Sequence, residues 1–341
     1  MHSNSPLFIE PFYLRMMIYS SSLLGKKIDA YLRELPLNRE PKGLYAPINY
    51  ELSLRGKRLR PILLTLSYLL YKEKVDTVLP QAVGIEIYHN FTLLHDDVMD
   101  RSDMRRGRPT VHKAWNEHTA ILSGDAMTVL AYRLMADCDS LYVKQVLDAF
   151  GQAALEVCEG QQRDMDFEAR DDVTVEEYLE MIRLKTSTLL AGALKIGAIL
   201  GDASAEDVQK LYDFGIKIGL AFQLQDDYLD VYGDPEIFGK PIGGDIIANK
   251  KTFLLISACR LSNAEQYERI LCWLRTTDYR PEEKIRAMTS IYDQLDIGTR
   301  CLQKIDSLYA EGLTMLDQLS GRSEYKRELE NFVNTLMKRN L

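Results

Sequence analysis

The sequence is poor in the features that mark several large classes of protein. Its five cysteines, Cys138, Cys158, Cys259, Cys272 and Cys301, are odd in number, widely spaced and without a Cys-x-x-Cys pair. That pattern excludes a disulfide framework or a zinc knuckle and fits a reducing cytoplasm. Long apolar runs are missing as well: the stretch from Pro61 to Tyr71 falls far short of the ~20 residues that span a bilayer. Near the N-terminus Glu10 and Arg15 interrupt the apolar stretch, so no secretory signal is expected there. Nor is there an excess of basic residues, since 42 Lys and Arg face 50 Asp and Glu for a net charge of −8. Nucleic acid is therefore excluded as a partner on charge, and an anionic ligand needs a local cluster of cations or metal. No Pro/Gly/Ser-rich linker or low-complexity block divides the 341 residues. The expectation is one domain over 1–341, with 1–50 a helical extension and 51–341 the core.

What is present is helical patterning. Val143, Val146, Leu147, Phe150, Ala153, Ala154 and Val157 recur at steps of three and four, one apolar face of a helix. Similar stripes run through 61–71, 82–99, 120–136, 176–200, 206–230 and 284–317. Period-2 runs rich in β-branched residues are absent, so no sheet is expected. The fold class implied is all-α: a bundle of about ten or more helices around a central cavity.

Two segments repeat the pattern Leu-x-Asp-Asp-apolar-apolar-Asp. One is Leu94 to Asp100, with Asp96, Asp97 and Asp100; the other is Leu224 to Asp230, with Asp226, Asp227 and Asp230. Each closes an apolar-striped helix. At ~3.6 residues per turn, Asp96 and Asp100 share a face, as do Asp226 and Asp230. Like charges one turn apart repel and call for a counterion. Hard carboxylate oxygens on two facing helices suit Mg²⁺, which binds a few carboxylates together with substrate phosphates. One such motif alone reads as a solvated helix end; two in matching contexts read as a metal site.

Basic residues stand where a phosphate partner would be sought. Gly56-Lys57-Arg58-Leu59-Arg60-Pro61 precedes an apolar helix expected to begin at Ile62, which places Lys57 and Arg60 beside a positive helix N-terminus. Arg105-Arg106-Gly107-Arg108 comes within a few residues of the first aspartate motif, and arginine offers bidentate contacts to phosphate. Alone, either segment is a charged loop. Lys185, Lys240 and Lys250 are not singled out by spacing. His89 lies in line with Asp96 on its helix and Gln223 with Asp226; each is equally compatible with a core role.

Taken together, Gly-Lys-Arg-x-Arg-Pro, Asp-Asp-x-x-Asp with Arg-Arg-Gly, Lys185-Thr186, Phe222-Gln223-x-x-Asp226-Asp227-x-x-Asp230, Lys240 and Lys250 resemble the trans-isoprenyl diphosphate synthases from about Gly56 onward. The resemblance implies an isoprenoid-synthase bundle, a homodimer, and a prenyltransferase that condenses isopentenyl diphosphate with allylic diphosphates. It implies catalytic roles for the six aspartates and Lys185. Asp96, Asp100 and Asp226 would hold Mg²⁺, three ions in the family pattern. It gives Lys57, Arg60, His89 and Arg106 to isopentenyl diphosphate, and Arg105, Lys185, Thr186, Gln223, Lys240 and Lys250 to the allylic diphosphate. Met337 to Leu341 resembles a thin version of the basic tail that some members fold over the isopentenyl site.

Chemistry sets further expectations. Breaking the allylic C–O bond leaves charge on the diphosphate and a cation that must be kept dry, so an apolar channel should adjoin the charged site. Tyr88, Phe91 and Thr92 lie upstream of Asp96 on its helix and are expected to border it. Small Thr92 leaves the channel open past one turn, and Phe91 with Tyr88 closes it soon after. That favours geranylgeranyl diphosphate as product, with farnesyl or a longer polyprenyl diphosphate as the alternative. A class I terpene cyclase is disfavoured by Lys57, Arg60 and the second all-aspartate motif. A non-catalytic partner subunit is disfavoured because both motifs are intact.

Overall fold

The computed structural model describes residues 18–54, 56–234 and 242–337. Its first helices are α1 (Ser21–Glu34), α2 (Lys42–Ser53) and α3 (Leu59–Leu69), with a 3₁₀ turn at Val75–Val78 leading to the long α4 (Leu79–Met99). A hairpin of β1 (Met104–Arg105) and β2 (Arg108–Pro109) leads through α5 (Val111–Ala114) into α6 (Glu117–Met135) and α7 (Ser140–Glu168). Next come α8 (Val175–Ile182), a π turn at Arg183–Ser187, α9 (Thr188–Leu200) and α10 (Ala205–Tyr232). The described chain ends in α11 (Gly244–Ile247), α12 (Phe253–Leu261), α13 (Ala264–Arg275), α14 (Pro281–Gln294), α15 (Ile297–Asp317) and α16 (Ser323–Met337).

The fold is all-α as the periodicity required, with one exception. The hairpin at 104–109 is a two-stranded ribbon where no sheet was expected. Two residues per strand are too few to show a period of two, which is why the pattern missed it. The helix after the Gly-Lys-Arg segment also begins at Leu59 rather than Ile62, with Pro61 in its first turn, a place proline tolerates because the N–H it lacks has no helical partner there.

Central helices are recognisable by burial on every side. In α9 all residues from Thr188 to Leu200 except Lys195 are buried, the mark of a helix surrounded by others. This helix lies against α3, α7 and α10; α4 lies along α6, and α10 along α15. Two apolar clusters result, one around α1, α3, α4, α6, α7 and α9, the other around α8, the end of α10, α12, α14 and α15. Each buried Leu, Ile or Phe in them contributes about 1.5–3 kcal/mol. An ionic clasp, buried at Arg58 and Glu86, ties the first cluster to the charged region: Arg58, in the left-handed conformation at φ 50°, donates to Glu86 of α4 at 2.7 Å and to the partly exposed Asp29 of α1 at 2.9 Å.

Candidate active site

The aspartate motifs end α4 and α10, and between these helices lies a cavity of about 640 Å³. Its wall brings together parts of the chain far apart in sequence: Lys57 and Arg60, His89 and Asp96 of α4, Arg106 of the hairpin, Lys185 and Thr186 of the π turn, and Gln223 and Asp226 of α10. Phe91 and Thr92 line it too, with Val157 and Leu189 adding apolar surface. Asp97, Asp100, Asp227, Asp230, Arg105, Lys250 and Tyr88 do not line it. Lys240 and the tail beyond Met337 lie outside the described residues.

In each motif the first aspartate faces the cavity and the second is buried as its support. Asp97 is 1% exposed and receives Nε of Arg105 on both carboxylate oxygens, at 2.9 and 2.8 Å, with Nη2 at 2.7 Å. Asp227 is 2% exposed; the Tyr178 hydroxyl donates to one oxygen and Gln223 Nε2 to the other at 3.2 Å. Burial pushes its carboxyl up to about 7. Burial also raises Asp96, helped by Asp100 and opposed by Lys185. Asp230 is bound from outside the cavity, accepting the Asp245 N–H at 2.9 Å.

The hairpin explains why adjacent arginines do different things. Arg106 and Gly107 both have positive φ, 51° and 76°, the geometry of a two-residue type I′ turn. Arg105, still in the strand, turns onto Asp97. Arg106 turns into the cavity, donates to the Leu54 carbonyl at 3.2 Å and faces Gly56. Arg105, which the resemblance gives to the allylic diphosphate, is thus placed here as the anchor of Asp97.

Around Arg106 the site is cationic. Arg60 has a buried Nε without a hydrogen-bond partner among the described residues, and burial drops its guanidinium to about 10. The imidazole of His89 is held well below its ordinary value by burial and by Arg60, Arg106, Arg105 and Arg58. A neutral His89 beside an unsatisfied guanidinium is a prepared anion site.

Lys185 and Thr186 reach the cavity because they sit in a π turn, where one extra residue re-aims the side chains. Close neighbours clamp this turn from two sides. A Cβ on Gly160 of α7 would lie 2.3 Å from the Lys185 backbone nitrogen, and one on Gly219 of α10 would lie 2.6 Å from Ser187 Cα. Thr186 donates to Gln223 Oε1 at 3.0 Å, while Lys185 is paired with Asp164 of α7 at 2.5 Å.

Several partners have no signature in the sequence. Asp164 and Asp245 belong to no repeated motif, and Tyr178 reads as an apolar-face residue. Buried Glu51 lies near Asp97, Arg105 and Arg106, has neither oxygen hydrogen-bonded to a described residue, and is pushed up to about 7 by burial first and Asp97 second. An acidic residue inside the apolar pattern of α2 was the available signal for it.

Below Asp96, Phe91 packs against His95, with ring centroids 4.7 Å apart, and against Tyr88 at 5.2 Å. Tyr88 stands behind this wall, donating to the Ala154 carbonyl at 3.0 Å with Phe150 of α7 edge-on at 5.1 Å.

An all-α bundle in which a single cavity joins paired aspartates, a cationic corner and an apolar wall defines a prenyltransferase of the isoprenyl diphosphate synthase class. The chain belongs to the polyprenyl synthetase family, whose model matches residues 41–292. It is 40% identical over 269 residues to the short chain isoprenyl diphosphate synthase of Methanocaldococcus jannaschii, covering 79% of this chain and 81% of that one. To the geranylgeranyl diphosphate synthase of Methanosarcina mazei it is 44% identical over 233 residues, 68% and 72% of the two chains. The crystal structure of a geranylgeranyl pyrophosphate synthase superposes with a TM-score of 0.90 at 42% identity, covering 95% of this chain and 100% of the other.

Proposed function

We propose that the enzyme joins isopentenyl diphosphate to an allylic diphosphate and stops mainly at geranylgeranyl diphosphate, with farnesyl diphosphate as the alternative. The observation that carries this reading is the sharing of one cavity by Asp96, Asp226 and the Arg60–His89–Arg106 corner. Two anion sites side by side support chain elongation, whereas cyclising one diphosphate needs only the first.

The donor set fits Mg²⁺. Among the described residues no three acidic, His or Cys side chains form a ready-made cage, and Mg²⁺ takes few protein carboxylates plus substrate phosphates. Asp96, Asp100 and Asp226 would hold the ions, which supply charge stabilisation to the departing diphosphate. Lys185, Thr186, Gln223 and Lys250, together with Lys240, orient that diphosphate, and Asp97, Asp227 and Asp230 fix the elements that carry the ligands. Lys57, Arg60, His89 and Arg106 hold isopentenyl diphosphate so that its double bond faces the allylic carbon. Once the allylic C–O bond breaks, that double bond attacks the carbon, and the adduct loses a proton to the released diphosphate. Phe91, Val157 and Leu189 exclude water from the cation.

Exposed Ile121, Leu122 and Val129 on α6 and Leu141 and Leu155 on α7 support a homodimer, to be checked by sedimentation. The five free thiols support a reducing, cytoplasmic setting.

Product length tests the reading of the wall. Phe91→Ala combined with Tyr88→Ala should lengthen the products, and Thr92→Phe should shorten them towards farnesyl diphosphate. Chromatography after incubation with Mg²⁺, isopentenyl diphosphate and geranyl diphosphate reads both; an unchanged spectrum in both variants places the floor elsewhere.

A further inference from the structure

Lys284 occupies a core position. It opens the apolar stripe of α14 that continues through Met288, Ile291 and Tyr292, and it is 0% exposed. An ammonium in such a place is costly, and its partners among the described residues are neutral. Its Nζ donates to Asn249 Oδ1 at 2.6 Å and to the Tyr279 hydroxyl at 3.4 Å, and it lies 4.5 Å from the centre of the Tyr279 ring. A leucine or methionine would fill the same space without the desolvation cost. The charge is therefore to be explained by what it holds.

What it holds is the loop of Lys250. Asn249 is in the left-handed conformation, φ 56°, and its side chain is gripped at both ends: Oδ1 by Lys284, and Nδ2 by donation to the Leu274 carbonyl at 3.0 Å. Tyr279, the other partner of Lys284, donates to the Ile247 carbonyl at 3.3 Å. The next residue along, Lys250, donates its N–H to the Asp245 carbonyl at 2.9 Å. Its ammonium lies 3.9 Å from the Asp245 carboxylate and within the field of Asp227, Asp164 and Asp100. Asp245 in turn donates its N–H to Asp230. A continuous set of contacts thus runs from the core of α14 to the second aspartate motif.

We propose that Lys284 is a positioning residue for diphosphate binding, fixing Asn249 in its left-handed turn so that Lys250 projects towards the aspartates. This rests on the reading of Lys250 as a ligand of the allylic diphosphate. Lys284 touches neither substrate; it sets where a charge stands.

The test uses the full-length enzyme with Mg²⁺ and compares Lys284→Met, Asn249→Gly, Lys250→Ala and Met288→Ala. Asn249→Gly keeps the left-handed turn and removes the acceptor, and it serves if Lys284→Met does not fold. Expected for Lys284→Met and Asn249→Gly is a roughly tenfold rise in KM for geranyl diphosphate. The affinity for inorganic diphosphate, measured by calorimetry, should weaken in parallel, while KM for isopentenyl diphosphate stays within about twofold. Met288→Ala, a purely apolar loss on the same helix, should lower the melting temperature without separating the two KM values. The proposal is overturned if Lys284→Met or Asn249→Gly leaves geranyl and inorganic diphosphate binding unchanged while Lys250→Ala weakens both. It is equally overturned if the two substrates are affected alike. No effect of Lys250→Ala would instead remove the reading on which the proposal rests, and the proposal with it.

Discussion

At the end of α4 the buried middle carboxylate, Asp97, is held by a cation eight residues further on; at the end of α10 its counterpart, Asp227, is held by a phenol and an amide, Tyr178 and Gln223. The two motifs are written with the same residues at the same spacing, and in both the first aspartate faces the cavity. Their supports differ in kind. An arginine placed on both oxygens pairs Asp97 with a cation and ties it to the hairpin that carries Arg106. Neutral donors leave Asp227 to the cost of burial, so its carboxyl rises to about 7. Matching motifs therefore need not be matching machines: one side of the cavity is braced by an ion pair, the other by hydrogen bonds between helices.

The largest expected effect probes what the sides share. Asp96→Ala and Asp226→Ala should each reduce turnover by roughly two to four orders of magnitude, with helical circular dichroism unchanged. Near-normal turnover in either would break the equivalence of the cavity-facing aspartates.

Stability should separate the two sides. Asp97→Ala strands the Arg105 guanidinium, which is partly screened, and should cost about 3 kcal/mol. Asp227→Asn keeps the shape and one of the two hydrogen bonds and should cost about 1 kcal/mol. Urea denaturation measures both, and equal costs would mean that the ionic brace is no different from the neutral one.

A further effect depends on pH. Glu51, beside the Asp97–Arg105 pair, is raised in the folded chain from 4.5 to about 7. Folding then favours its protonated form, so its contribution is full below about 4.5 and is lost as pH rises to about 7. Relative to Glu51→Gln, the wild type should lose up to about 3 kcal/mol across that window and nothing further above it. Melting temperatures of both proteins from pH 5 to 8 test this, and parallel curves would remove Glu51 from the electrostatics of the α4 side.

The shared part of the site was legible in the sequence because it is local. Asp96 and Asp226 come from the repeated motif, whereas the helical spacing that pairs them with Asp100 and Asp230 does not bring those two into the cavity wall; the all-α fold comes from stripes such as Val143 to Val157. The braces were not legible, because each is a contact between separate elements: Tyr178 with Asp227, Asp164 with Lys185, Asp245 with Asp230. Arg105 stood in plain view, yet its direction depends on a hairpin too short to leave a period. The channel wall shows the same division. Phe91 and Thr92 could be placed by counting along α4, whereas Phe150, which backs Tyr88, comes from α7.

The π turn at Arg183–Ser187 bears on how this stretch of chain can change over generations. Beyond its side chains, the number of residues between α8 and α9 is itself constrained. Adding or removing one would rotate α9 by about 100° relative to α8. Lys185 would swing away from Asp164 and Thr186 from Gln223, and the backbone would be driven into Gly160 or Gly219, where no space remains. A single insertion here would have to be absorbed by rebuilding the contacts of this turn with α7 and α10.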